Sequence, residues 1–442
     1  MWPPLRKTMT LEGIYELFCE NPVITTDTRD CPEGSIFFAL KGDNFDGNKF
    51  AHEALAKGCA HAVVDDPEVA GSDGRMLYVS NVLLMLQELA HHHREQMGIP
   101  VVQITGTNGK TTTKELTAAV LTKKYNVLFT QGNFNNHIGV PKTLLQLRAD
   151  HEIAVIETGA NHPGEIADLS AIVDATCGLI TNVGKAHLEG FGSLEGVVKS
   201  KAELYRYLER KPEGFVFING SDALLTAEAS GLKTVSYGAP GNGFDIEGEV
   251  VECNPCVVLR WRVNGGEWHV VQTQLVGAYN ANNMLAAAAV GIRFGVSEEA
   301  ICAALADYAP SNKRSELQHT PHNTLIVDAY NANPTSMRAA IENFRLIPHE
   351  QKLLILGDMR ELGVASQAEH EAVLALLREA GFSRVWTVGP NFKDAGAEAA
   401  GYRCFADVDA VIAELRQCPL HEHLVLIKGS NGTRLYLLPP HL

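Results

Sequence analysis

Seven consecutive residues, Gly106-Thr107-Asn108-Gly109-Lys110-Thr111-Thr112, combine glycines, a lysine and hydroxyls directly after the apolar run PVVQIT. Glycines let backbone N–H groups close in on phosphate oxygens, Lys110 supplies a point charge for β- and γ-phosphates, and Thr111 offers a hydroxyl to Mg²⁺ where a helix begins. The general phosphate-loop pattern has a glycine where this chain has Ile104, so the loop is a variant. Gly-Lys-Thr in that order between a strand and a helix nevertheless reads as nucleotide binding, which a glycine turn that merely caps a helix does not explain.

Other residues gain meaning from where they fall. Glu157 closes the run IAVIE, where an acid at a strand's C-terminal end either holds Mg²⁺ beside a phosphate site or ends the strand in solvent. His187, in TNVGKAHLEGFGS, follows the next apolar run and taken alone is a polar loop residue. On a helix expected at 194–208, Lys201 shares a face with Val197, Leu204 and Leu208, whereas Lys199 is flanked by Glu195 and Glu203 like a solvated lysine. An inward lysine either snorkels to solvent or is neutralised or paired. Asn280 and Asn283 lie three apart on one helical face, so they either present amides to a base edge or cap an alanine-rich helix. Asp328 ends TLIVD, and a strand-end acid is a familiar ribose partner. Arg29, after Thr28, has the planar fork that suits a diphosphate. Arg314 reads either as a phosphate contact or as a surface residue.

The loop TGTNGKTT resembles that of the Mur ligases, ATP-dependent enzymes that form amide bonds, and ETGANHPGEI, the His187 segment and the Asn-rich YNANN stretch agree with it in order along the chain. The resemblance implies ATP and two Mg²⁺ ions. Gly106 to Thr112, Asn280, Asn283, Arg314 and Asp328 would bind the nucleotide, and Thr111, Glu157, His187 and Lys201 the metal. It further implies that Lys201 is carbamylated by CO₂, which needs a neutral amine of the kind burial favours. In this family's asparagine signature Tyr279 replaces the usual histidine. DAYNANPTSM, LGDMRELG, IKGSNGT and TQGNFNNHIGVPKTLL resemble the branch that joins D-alanyl-D-alanine to a UDP-N-acetylmuramoyl-tripeptide, with Tyr330, Asn331 and Asn333 expected at the substrate. The segment DTRDCPEGSIFFALKGDNFDGNKF resembles the UDP-recognising domain of the family's tripeptide and pentapeptide ligases, which would put Thr28 and Arg29 on the uridine or pyrophosphate end. No DNPR-like stretch appears, which disfavours a diamino-acid ligase, and the UDP-type first segment disfavours a folate ligase. A binding protein that has lost catalysis is disfavoured because Lys110, Glu157, His187 and Lys201 are all present. The ending NGTRLYLLPPHL departs from the longer family ending, which leaves a last helix open.

To position these groups the chain needs alternating strands and helices. Apolar runs predict strands at 100–104, 153–156, 177–181 and 215–218 and helices at 110–123, 164–173 and 194–208, a parallel sheet with crossovers. Alternation between 244 and 273 predicts an antiparallel excursion, followed by helices near 280–294 and 297–307. Strands at 324–328, 352–356, 384–388 and 423–427 predict a second, doubly wound unit, and strands at 35–40 and 61–65 around a helix near 48–57 a third. The expected fold is therefore α/β in three domains: a small UDP-binding domain at 1–82, a central P-loop-type domain with a β extension at 83–310, and a C-terminal Rossmann-like domain at 311–442. His91, His92 and His93 read as an exposed helical stretch, since adjacent helical residues do not face one point.

Composition bounds the partners. The 442 residues are 45% hydrophobic and 20% charged with a net charge of −15, which fits a globular enzyme and argues against a nucleic-acid binder working by bulk charge. Residues 1–12 hold no secretory apolar run, and the longest uncharged stretch, 269–292, is too polar for a lipid span, so a cytoplasmic chain is expected. The resemblance implies a bacterial one, and a monomer is expected. Nine scattered cysteines read as reduced thiols, Cys253 and Cys256 included, because no second pair lies near to complete a zinc site.

Overall fold

The computed structural model describes residues 8–71, 73–310 and 314–442, so the expected boundary at 310/311 abuts residues 311–313, which lie outside the described residues. The Cα positions form two compact units. One takes residues through Gln103 with Tyr125–Gly159 and Ala167–Cys177, and the other takes Ile104–Lys124, Ala160–Ile166 and Gly178–Leu442.

In the first unit four short strands, Ile24–Thr25, Ile36–Phe38, His61–Val64 and Met76–Tyr78, pair in parallel in that spatial order. Phe37, Ala39, Ala62 and Val64 bury one face against Ala51, Ala54 and Leu55 of the helix Ala51–Ala56, the regular part of the helix expected near 48–57. The 3₁₀ turn Gly47–Phe50 precedes it. A helix at Leu11–Glu20, capped by Thr10 and burying Ile14 and Phe18, and the strand Met76–Tyr78 are additions to the expected elements. The antiparallel pair Lys41–Gly42 and Phe45–Asp46 and the parallel pair Val127–Phe129 and Ile153–Glu157 also belong to this unit.

One expectation is overturned here. The helix Val82–Met97 does not expose the histidine run, because His93 is only 4% exposed, as is Arg94. His93 Nδ1 lies 3.3 Å from Tyr15 Oη and its Nε2 3.0 Å from Leu147 O, so the imidazole bridges the first helix and the 147 turn. Of three neighbouring helical positions one had to face inward, and the ring's two nitrogens made His93 able to be satisfied there.

In the second unit Phe215–Asn219, Lys233–Gly238 and Ile246–Cys253 run parallel, and Cys256–Val263 and His269–Val276 continue the sheet antiparallel. This is the expected excursion, with Leu259, Trp261 and Val271 buried. The helix Ala281–Arg293 crosses Lys110–Thr122 at Gly291, where a Cβ would lie 2.5 Å from Val120 Cγ1, so glycine sets how close the helices come. The C-terminal sheet has the spatial order Glu316–His319, Thr324–Asp328, Leu424–Lys428, Lys352–Gly357, Val385–Val388, Arg403–Phe405, with only the first strand antiparallel. Leu325, Val327, Leu353, Ile355, Val425 and Ile427 face one layer, and Ile326, Leu354, Leu356, Leu424 and Leu426 the other. Both faces are covered, as near-continuous apolar strands require, and the α/β, doubly wound expectation holds. The ending folds as short 3₁₀ turns at Asn431–Thr433, Leu435–Leu437 and Pro439–His441, with Leu435 and Leu438 buried. No described helix is long and apolar enough to cross a membrane, and none of the nine cysteines is joined in a disulfide.

Burial holds the His93 imidazole below the usual histidine range. On acidification the unfolded chain therefore takes up the proton first, and His93 costs the fold stability as pH falls through about 6.5. His93→Leu is expected to cost about 1–2 kcal/mol at pH 8 through its lost hydrogen bonds, with the gap to the parent narrowing toward pH 5. Urea unfolding at the two pH values checks both parts.

Candidate active site

The strand Val101–Thr105 delivers the chain to Gly106, whose φ of 142° is one that only glycine adopts readily. A Cβ there would stand 2.1 Å from Thr181 Oγ1. The loop that follows is clamped by residues 181–184. Thr107 N–H donates to Asn182 O at 2.9 Å, Asn108 N–H to Asn182 Oδ1 at 3.0 Å, Thr181 Oγ1 to Asn108 O at 2.6 Å and Gly184 N–H to Thr107 Oγ1 at 3.1 Å. Gly109 then caps the helix Lys110–Thr122 in the left-handed region, φ 78°, where a Cβ would lie 2.6 Å from Asn283 Oδ1. Such a helix start offers first-turn N–H groups without intrahelical acceptors and the positive end of a dipole, which is an anion site. Lys110 Nζ lies back on this loop, donating to Gly106 O at 2.8 Å and Thr107 O at 3.0 Å. Thr111 and Thr112 are buried at the same turn.

Asn280 and Asn283 are both buried with internal partners. Asn280 Nδ2 donates to Val276 O, Asn283 Nδ2 to Asn280 Oδ1, and Thr113 Oγ1 to Asn283 Oδ1. Their amides thus tie the alanine-rich helix to the phosphate-loop helix.

Lys201 sits on the helix Leu194–Glu209, which Ser193 caps, and is 2% exposed, with Val197, Leu204 and Leu208 buried beside it. Its Nζ donates to Ala160 O at 3.3 Å and stands 5.2 Å over the Phe191 ring. Burial, followed by repulsion from Lys110, pushes this amine down to about 7. Lys199 is exposed and paired with Glu195 at 2.7 Å, as expected of a solvated lysine. His187 precedes the short helix Leu188–Phe191, and its Nδ1 lies 2.7 Å from Glu361 Oε2.

The C-terminal sheet contributes at its strand ends. Asp328 Oδ2 accepts from Lys428 Nζ at 2.5 Å, the lysine being 1% exposed, and the two are register partners on adjacent strands. Arg314 stacks 3.9 Å over the Tyr330 ring. Asn331 Oδ1 accepts from the next residue's N–H. Asn333 caps the helix Pro334–Leu346 in a reciprocal box with Ser336, and its Nδ2 donates to Asn108 Oδ1 at 2.8 Å, joining that helix to the phosphate loop. Lys428 and Glu361 were missed as individual residues by sequence reasoning. For Lys428 a signal existed, since TLIVD and LVLIK are neighbouring apolar strands that end in opposite charges.

Within the first unit, Glu157 is buried at the end of Ile153–Glu157, where Asn135 Nδ2 donates to its Oε1 at 2.8 Å and its own N–H donates to Thr130 Oγ1. Also in that unit, the highly exposed Arg29 side chain forks onto Asp27, and Thr28 O accepts from Lys57 Nζ at 2.8 Å. Among the described residues no three His, Cys, Asp or Glu side chains gather as a ready-made metal cluster.

Residues 22–94 match the family model described as Mur ligase family, catalytic domain, residues 104–291 the Mur ligase middle domain, and residues 313–431 the Mur ligase, glutamate ligase domain. The UDP-N-acetylmuramoyl-tripeptide–D-alanyl-D-alanine ligase of Escherichia coli K12 is 36% identical over 418 residues, covering 93% of this chain and 91% of that one. Among solved structures, MurF from Acinetobacter baumannii superposes with a TM-score of 0.85 at 33% identity, covering 94% of this chain and 92% of that one. MurF ligase from Thermotoga maritima in complex with ADP gives 0.84 at 25% identity, covering 95% and 96%.

The buried Lys201 amine makes a pH-dependent contribution whose sign is fixed. Its folded value of about 7 lies below the ordinary 10.5, so under pH 7 both states are charged and the full burial penalty applies. Between 7 and 10.5 only the unfolded chain stays protonated, and the penalty fades as pH rises. Lys201→Met is expected to stabilise the fold by at least about 1 kcal/mol at pH 6, with the advantage shrinking toward pH 9.5. Paired urea titrations measure it.

Proposed function

The chain belongs to the Mur ligase family, and from that premise we propose that it is the ATP-dependent ligase that joins D-alanyl-D-alanine to UDP-N-acetylmuramoyl-tripeptide. The products are UDP-N-acetylmuramoyl-pentapeptide, ADP and phosphate, in peptidoglycan precursor synthesis. The observation that carries the reading is near end-to-end similarity to relatives bearing that name, in a chain whose phosphate loop is held open at a helix N-terminus.

A carboxylate is a poor electrophile, so it must first accept the γ-phosphoryl group of ATP and become an acyl phosphate. Lys110 then trades its two loop carbonyls for phosphate oxygens, and the helix N-terminus receives charge on the moving phosphoryl group. The dipeptide amine attacks the acyl carbon, a tetrahedral intermediate forms, and phosphate leaves with no protein nucleophile involved. Gly106 to Thr112 cradle the phosphates. Arg314 and Asp328 serve the nucleotide, Asn280 and Asn283 support its base end, and Tyr330, Asn331 and Asn333 serve the peptide substrates. In this reading residues 1–82, with Thr28 and Arg29 at the UDP end, form one domain, 83–310 the ATP domain and 311–442 the last.

Two Mg²⁺ ions fit the donor chemistry of the residues assigned to them. Thr111 offers a hydroxyl, Glu157 a buried carboxylate and His187 an imidazole, while Lys201 carries an amine that burial makes neutral enough to take up CO₂ as a carbamate. When bound, such ions neutralise charge on the phosphate oxygens. In this reading the work is done in the bacterial cytoplasm by a monomer, on a nucleotide-linked tripeptide, a free dipeptide and ATP, all of them water-soluble.

Phosphate release from ATP is expected only when UDP-muramoyl-tripeptide and D-alanyl-D-alanine are both present, with a pentapeptide product identified by mass. Lys110→Ala is expected to lower that rate by about 100-fold or more. A folded, ATP-binding preparation that stays silent with tripeptides ending in either lysine or diaminopimelate would sink the substrate assignment.

A further inference from the structure

His187 and Glu361 are far apart in sequence, yet each stands in left-handed backbone, with φ of 49° and 62°, a region that residues with a Cβ rarely occupy. Their side chains meet at 2.7 Å between His187 Nδ1 and Glu361 Oε2. The carboxylate accepts only, so Nδ1 must carry the proton, and Nε2 is then the nitrogen with a lone pair to give. The backbone around the pair is pressed together too. Gly363, at φ 51°, would put a Cβ 3.4 Å from Glu189 Cβ on the short helix Leu188–Phe191. The Phe191 ring of that helix meets His187 edge-on at 6.4 Å and lies 5.2 Å under Lys201 Nζ, so the imidazole and the buried amine flank one aromatic wall. Lys185, two residues before His187, pairs with Glu369 at 2.6 Å and ties the same two segments a second time.

We propose that Glu361 is a positioning residue for the cation site: it fixes the tautomer and ring orientation of His187, and does so only while the loop around Glu361 is docked on the helix Leu188–Phe191. A carboxylate on the far nitrogen of a ligating histidine orients the ring and raises its basicity. Here that carboxylate comes from the loop after the strand Lys352–Gly357 and the histidine from the loop before the helix Leu188–Phe191. The cation site is thereby finished by docking, which couples metal affinity to the closed arrangement of these two parts. The inference rests on the reading of His187 as a Mg²⁺ ligand given above.

The test is Mn²⁺ binding to the full-length protein with ADP, followed by the electron paramagnetic resonance of free Mn²⁺, for the parent, Glu361→Ala, Glu361→Gln and His187→Ala. Glu361→Ala is expected to weaken binding by about tenfold or more, whereas Glu361→Gln, whose amide oxygen still accepts from Nδ1, stays within about threefold of the parent. In turnover the half-saturating Mg²⁺ concentration should rise in Glu361→Ala with little change in KM for the tripeptide substrate. Parent-like or tighter Mn²⁺ binding by Glu361→Ala overturns the inference, since the pair is then a plain tie or a block. Equal weakening by Ala and Gln overturns it as well, because hydrogen-bond acceptance is then not what matters. Parent-like binding by His187→Ala removes its premise, while pentapeptide formation by the parent judges the ligase assignment separately.

Discussion

A loop that binds phosphate through its backbone has to be held open by something other than the phosphate. Here the holding is done from the side, by residues 181–184, which take the N–H groups of Thr107 and Asn108 and the carbonyl of Asn108 into fixed bonds. The geometry leaves no room for a Cβ at Gly106 or Gly109, and the latter is closed off by Asn283. From that constraint the packing of the helix Ala281–Arg293 follows, because its asparagines must reach the phosphate-loop helix at Thr113, and Gly291 lets the two axes approach. An alanine-rich helix with two buried asparagines is what such a close crossing needs.

The second organising group is the Lys201 amine. It is surrounded by aliphatic side chains and Phe191, with Ala160 O as its acceptor, and burial first, then repulsion from Lys110, lowers its proton affinity. An uncharged amine at neutral pH is a nucleophile toward CO₂, a property that an exposed neighbour such as Lys199 lacks. The same helix therefore carries two lysines of different chemistry, separated by which face each occupies.

Much of this was legible in the sequence because periodicity reports on faces. The apolar runs that were read as strands match observed ones to within a residue or two, although the parallel strands Val127–Phe129, Lys233–Gly238 and Arg403–Phe405 were not among them, and the spacing of Val197, Lys201, Leu204 and Leu208 marked an inward lysine. What periodicity could not carry was pairing at long range. His93 looked exposed because its partners, Tyr15 and the Leu147 carbonyl, lie on elements that give no local sign of approaching it. Asn280 and Asn283 shared a face as expected, but whether that face met a ligand or another helix depended on tertiary packing. The Glu361 contact depends on two positive-φ residues in separate loops, and nothing in either stretch distinguishes them from ordinary turn residues. The two-residue strands Ile24–Thr25 and Lys41–Gly42 are too short for any alternation to register.

Lys110 has one more consequence. Its ammonium rests on the carbonyls of Gly106 and Thr107, so an arriving anion does not meet a fully hydrated cation that must be stripped of water. It meets a half-buried charge, already partly desolvated by those carbonyls, that swaps neutral oxygens for anionic ones, and the swap reverses when the anion leaves. Arrival and departure are thus exchanges between nearly matched bonding states, which flattens the energetic step at each end of a catalytic cycle. A site built this way can hold a highly charged nucleotide firmly and still release the spent one quickly enough to turn over.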